Sequence, residues 1–177
     1  MKKNIVNIFV MLFVSLSIFA QKTPSSSLST STVASSATLQ LQEAKDFGLS
    51  AVKAYFDANC AYVYSKLNNE ITSIESGQKF DKSAISQQDF CAESPLRKDI
   101  RVSYAQYLQN YSPQVFDATT FAAQYPEMQQ ALQLKEGDFF FNGANLNSNA
   151  TDLFRAADMT RFVLRRIGQN QFVILAM

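Results

Sequence analysis

The chain has 177 residues, enough for one domain, and its charges nearly cancel, with 16 Lys and Arg against 15 Asp and Glu. It has no His and no Trp, which excludes Ser-His-Asp and Cys-His triads and histidine-based metal sites, and leaves acid–base work to Asp, Glu, Lys or Tyr with shifted pKa values. Without Lys2 and Lys3 the balance is 14 basic to 15 acidic, so the chain has no electrostatic footprint for nucleic acid or an anionic membrane.

Met1 to Asn4 is short and basic, and Ile5 to Ala20 is apolar apart from Asn7, Ser15 and Ser17. The run is short for a spanning helix, which needs ~20 residues. It reads as a secretory signal peptide over residues 1–20, cut after Ala20. Ile18 departs from the small residue usual three positions before a cut, and an uncleaved amino-terminal anchor is the rival reading. No Cys follows Ala20 directly, so lipoprotein-type anchoring is not expected. The predicted location is secreted or periplasmic, with no membrane association after cleavage.

Residues 21–38 form a Ser/Thr-rich tract, KTPSSSLSTSTVASSAT, with too few large apolar residues to offset the entropy of ordering it. This predicts a disordered linker leading to one domain over residues 39–177. Asn110-Tyr111-Ser112 and Asn149-Ala150-Thr151 fit the glycan acceptor pattern and matter only in a glycosylating host.

From Leu41, apolar residues recur at steps of three and four: Ala44, Gly48, Val52, Tyr55, Phe56, Cys60, Val63 and Leu67. That stripe predicts one long amphipathic helix. Ile71, Ser73 and Glu75 alternate with Thr72, Ile74 and Ser76 before Gly77, predicting a short strand and turn. Asp81 to Ser94 is polar and reads as a loop. Ser94-Pro95 resembles a capped helix start, and Leu96, Ile100, Tyr104, Tyr107, Leu108 and Tyr111 fit a helix ending before Pro113. Ile100, Val102 and Tyr104 alone would also fit a strand.

Phe116, Phe121, Tyr125, Met128 and Leu132 predict further helix, interrupted at Pro126. Asp138 to Phe141 reads as a strand and Asn142-Gly143 as a turn. A strand over Leu153 to Arg166 then leads into a hairpin. There Phe162 and Leu164 alternate with Arg161, Val163 and Arg165, and Phe172 and Ile174 with Gln171 and Val173. Setting both apolar pairs on one face requires an odd-numbered loop, most simply three residues around Gly168. The long helix is expected to cover that face. Helices first and antiparallel strands last make an α+β pattern.

Cys60 and Cys91 are the two cysteines. In an exported chain they pair as a disulfide closing a loop of about 30 residues, ~3 kcal/mol in the chain-entropy model. The other reading makes Cys60 a small buried hydrophobe on the helix stripe.

AVKAYFDA, Ala51 to Ala58, resembles the opening helix of the nuclear transport factor 2-like superfamily, which includes polyketide-cyclase-like and ketosteroid-isomerase-like members. YVYSKLNNEITSIESGQKFDK, Tyr62 to Lys82, resembles that family's passage into a first strand and turn. TRFVLRRIGQNQFVILAM, Thr160 to Met177, resembles its closing hairpin. Ser83 to Asn149 carries no motif of the family, and Phe172 stands where members usually have Trp. The resemblance implies helices packed on a bent antiparallel sheet, a cone that holds a pocket. The family's isomerases and dehydratases use Asp, Tyr or His inside the cone, and no catalytic Asp aligns here. Asp152 and Asp158 read as solvated turn or edge residues.

The expected function is binding, of a small apolar ligand in the cone or a protein partner on the sheet, with no cofactor, no metal and no nucleic acid. The candidate ligand-binding residues are Tyr104, Phe141, Arg161 and Arg165. The two arginines share one face of a strand, either solvated or forming a paired carboxylate site. The alternatives are an isomerase, dehydratase or cyclase using Tyr with Asp or Glu in the pocket, and an assembly module that forms a homodimer through an outer sheet face of Val163, Val173 and Leu175.

Overall fold

No Gly or Pro lies between Ser27 and Phe47, and a nucleated helix propagates at little cost per residue. Helix α1 accordingly runs Ser27–Phe56. It begins inside the Ser/Thr tract, where composition predicts a disordered linker, rather than near Leu39. The computed structural model describes residues 27–93, 103–145 and 160–177, with side chains from residue 36. The predicted signal peptide, the Ser94-Pro95 helix start, the strand start at Leu153, Asp152 and Asp158 lie outside them.

The single long helix expected through Leu67 is two helices. Ala58 adopts a left-handed backbone (φ 55°), the Asn59 amide donates to Ala54 O at 2.7 Å and the Ala58 amide to Tyr55 O at 3.0 Å. This closes α1 as a Schellman cap. The Asn59 side chain then accepts from the Tyr62 amide at 3.2 Å and starts α2, Cys60–Lys66. Asp57 and Asn59 favour caps because their side chains compete for backbone partners.

Strand β1 is Leu67–Thr72 and β2 is Lys79–Asp81, joined through Gly77 at φ 68°. The predicted polar loop after Asp81 is instead a 3-10 turn, Lys82–Ala84, and helix α3, Gln87–Glu93. Asp81 caps the turn, and Ser86 and Asp89 bond to each other at the start of α3. Of the expected helix up to Tyr111, the described residues contain α4, Tyr104–Asn110. Ser103, in extended backbone, begins it with a reciprocal capping box to Gln106.

Phe116, predicted helical, lies in strand β3, Gln114–Asp117. Asp117 caps α5, Ala118–Gln124, and Pro126 opens α6, Pro126–Leu132, as its fixed φ favours. Strands β4, Asp138–Asn142, β5, Arg161–Gly168, and β6, Gln171–Ala176, complete the described elements.

The fold is α+β. Among the described residues the sheet has six strands in the order β2-β1-β6-β5-β4-β3. It is mixed, not purely antiparallel, because β1 pairs parallel with β6. The whole middle of the chain is the crossover that parallel pairing demands. The hairpin loop is two residues, Gln169 and Asn170, with Arg166 opposite Phe172 and Gly168 opposite Gln171. The odd residue sits in the strand as a bulge at exposed Ile167. A second shift leaves Leu175 between the Leu164–Ile174 and Val163–Ala176 pairs.

Phe162, Leu164, Phe172 and Ile174 are all buried, with Phe139 and Phe141, against Ala44, Ala51, Val52 and Tyr55 of α1. Arg166 reaches across to Glu43 of α1 at 2.9 Å. Gly48 allows the closest approach, since a Cβ there would lie 2.2 Å from the Phe141 ring. The opposite face is not open. Val163, expected on it, is 2% exposed and packs with Phe116, Phe121, Phe140 and Ala176 beneath α5 and α6.

Candidate functional site

Cys60 opens α2 and Cys91 lies in α3, and the two form a disulfide with Cα atoms 5.6 Å apart. One helical turn after Cys60, Tyr64 points toward Phe90, the residue before Cys91, with ring centroids 5.6 Å apart. The bond that joins the helices therefore also sets two aromatic walls side by side. Phe80 of β2, Ile85, Leu67 and Ile71 of β1, and Met177 line the same space. Together they enclose a cleft of about 210 Å³. Phe80 is 42% exposed, the one large apolar side chain of the lining that opens so far to solvent.

The polar groups of the cleft are engaged in holding its shape. Tyr64 Oη donates to Ile85 O at 2.8 Å. Lys82 Nζ donates to Leu67 O at 3.0 Å and lies 4.9 Å from the centre of the Tyr64 ring. The lining includes Thr72 and Ser73 but no Asp or Glu. Such a wall can bind and orient an apolar group. It places no acidic side chain beside a tyrosine.

A second cavity, about 200 Å³, lies between α1, the start of α5 and residues 136–139. Two of its three carboxylates, Asp117 and Asp138, have structural partners, and Glu136 is exposed. Asp117 accepts from the Thr120 amide at 2.7 Å. Asp138, 2% exposed, accepts from Arg165 Nε at 2.7 Å and Nη2 at 2.8 Å, and from the Lys135 amide at 3.0 Å. The hydrogen bonds to Asp138 push the Arg165 pKa up. No group of three His, Cys, Asp or Glu suited to a metal ion occurs among the described residues.

None of the four sequence-predicted ligand residues lines the cleft. Phe141 is fully buried, stacked on Phe162 and against Gly48. Tyr104 belongs to an aromatic row with Phe56, Tyr107 and Tyr111 at the edge of the core. Arg165 is paired with Asp138, while its side chain stays 43% exposed. Tyr107 Oη, also buried, donates to Gly143 O at 2.7 Å. Burial pushes the Tyr55 and Tyr107 hydroxyls well above tyrosine's ordinary pKa, so both stay protonated at neutral pH.

The residues that do form the cleft carry a faint signal in the sequence. Phe80, Ile85 and Phe90 are isolated apolar residues in an otherwise polar stretch, and the cystine fixes which of them meets Tyr64. No helix among the described residues is long and apolar enough to cross a membrane. No protein-family model matches the chain, and no curated protein or solved structure shows significant similarity to it.

Proposed function

We propose that the protein is an exported, non-catalytic binding domain of the nuclear transport factor 2-like kind, whose site is the apolar cleft beside the Cys60–Cys91 disulfide. The cleft carries the reading. It joins an exposed Phe80 to buried apolar walls without an acid–base pair, the composition of sites that bind rather than transform small molecules. Export is supported by the disulfide, since such bonds persist in oxidising compartments. The family reading is supported by the long first helix lying over the closing hairpin.

The test is a titration of the oxidised chain with a neutral apolar fluorophore, phenylnaphthylamine. One saturable site is expected in the wild type. Phe80→Ser should weaken it at least about tenfold while leaving stability within ~1 kcal/mol, because Phe80 is far from fully buried. Unchanged binding in a folded Phe80→Ser protein would refute the assignment.

A further inference from the structure

Lys82 is the one charged side chain among the residues lining the cleft. It is half-buried, and its two contacts there, the Leu67 carbonyl and the Tyr64 ring, are neutral. They orient the ammonium without cancelling its charge. The ion pairs among the described residues are Lys53–Asp57, Lys79–Glu70, Arg165–Asp138 and Arg166–Glu43, and Lys82 is in none of them. Several carboxylates around it in sequence have other partners, among them Asp89, which accepts from the Ser86 hydroxyl at 2.6 Å. Glu70 takes Lys79 at 2.9 Å, and Asp81 accepts from the Ser83 amide at 2.8 Å.

We propose that the cleft binds an anionic amphiphile, in its simplest form a medium-chain carboxylate. The tail lies among Ile71, Phe80, Ile85 and Met177, and the carboxylate meets Lys82 at the rim. This rests on the reading of the cleft as a ligand site and adds the chemistry of what fills it. The argument is charge complementarity. An uncompensated cation beside an apolar slot rewards a ligand with one anionic end, and a charge-assisted hydrogen bond is about twice as strong as a neutral one. A lysine suits this task, since its compact charge on a flexible stem follows a head group whose position varies with tail length. The slot of about 210 Å³ holds roughly seven groups of water or methylene size, at ~30 Å³ each. An eight-carbon acid therefore fits, and longer tails protrude past exposed Phe80.

The experiment is calorimetric titration of the full oxidised chain with octanoate and with octanol, repeated on Lys82→Met and Lys82→Arg. The wild type should bind octanoate at least about tenfold more tightly than octanol. Lys82→Met should bring octanoate down to the octanol level, and Lys82→Arg should retain the preference. Equal binding of the two ligands by the wild type, or a preference that survives Lys82→Met, overturns the carboxylate proposal while leaving the apolar site standing. Binding of neither ligand removes both. If Lys82→Met does not fold, the wild-type ratio of octanoate to octanol decides alone.

Discussion

At Gly48, where α1 crosses β4, two effects of a methyl group oppose each other. Alanine favours a helix interior over glycine by ~1 kcal/mol. A Cβ there would meet three atoms of the Phe141 ring between 2.2 and 2.6 Å, and Phe141 is fully buried between the helix and Phe162. Overpacking of this kind costs ~1–3 kcal/mol, more where the neighbour cannot yield. Sterics should win, so Gly48→Ala is expected to destabilise by about 2 kcal/mol, read as a lower urea midpoint; an increase in stability would place α1 farther from the sheet. The buried tyrosines give a second residue-level test. The Tyr55 and Tyr107 pKa values are raised in the fold, so their contribution is fully present below the unfolded value of about 10 and is lost as pH rises above it. Phenolate absorbance should show these two ionising last, together with loss of near-ultraviolet dichroism. Ionisation of all seven tyrosines at ordinary pH with the fold intact would contradict their burial. Single residues were legible where the pattern was local: the period of two correctly buries Phe162, Leu164, Phe172 and Ile174. Arg165 was not, because its partner Asp138 stands opposite it only through the β4–β5 register.

Among the elements, α3 depends most on a covalent tie. It is seven residues long, too short to be stable alone, and it supplies Phe90 to the cleft wall. Reducing Cys60–Cys91 frees a loop spanning 31 positions, a loss of about 3 to 4 kcal/mol in the chain-entropy model. Reduction should therefore lower the unfolding midpoint and weaken apolar ligand binding more than tenfold, because α3 separates from α2 before the sheet opens. Measured with and without dithiothreitol, equal affinities would show that α3 holds its place without the bond. The helix break at Ala58 and the helix at 87–93 escaped the sequence reading for a common reason. Cap geometry and a disulfide override a stripe or a polar composition that extends over many residues. The turn parity was legible as a requirement for one extra residue, whereas its location, in the β5 bulge and not in the loop, depends on strand twist.

For the whole molecule, the feature that organises function is the β1–β6 pairing. It sets the β1–β2 edge beside the closing hairpin, so that Ile71, Phe80 and Met177 meet α2 and α3 in one cleft. The α+β class and the roofing of the hairpin by the first helix were readable from periodicity. The parallel pairing was not, since partners so far apart in the chain leave no local trace. That is why the cleft lies away from Tyr104, Phe141, Arg161 and Arg165. The most direct measurement is a methyl nuclear magnetic resonance titration of the oxidised wild type with octanoate. The Ile71, Ile85 and Met177 methyls should shift together and saturate at one ligand per chain, with Ile167 on the far hairpin unmoved. Saturable shifts elsewhere with these three methyls unchanged, or no shifts at all, would contradict the account.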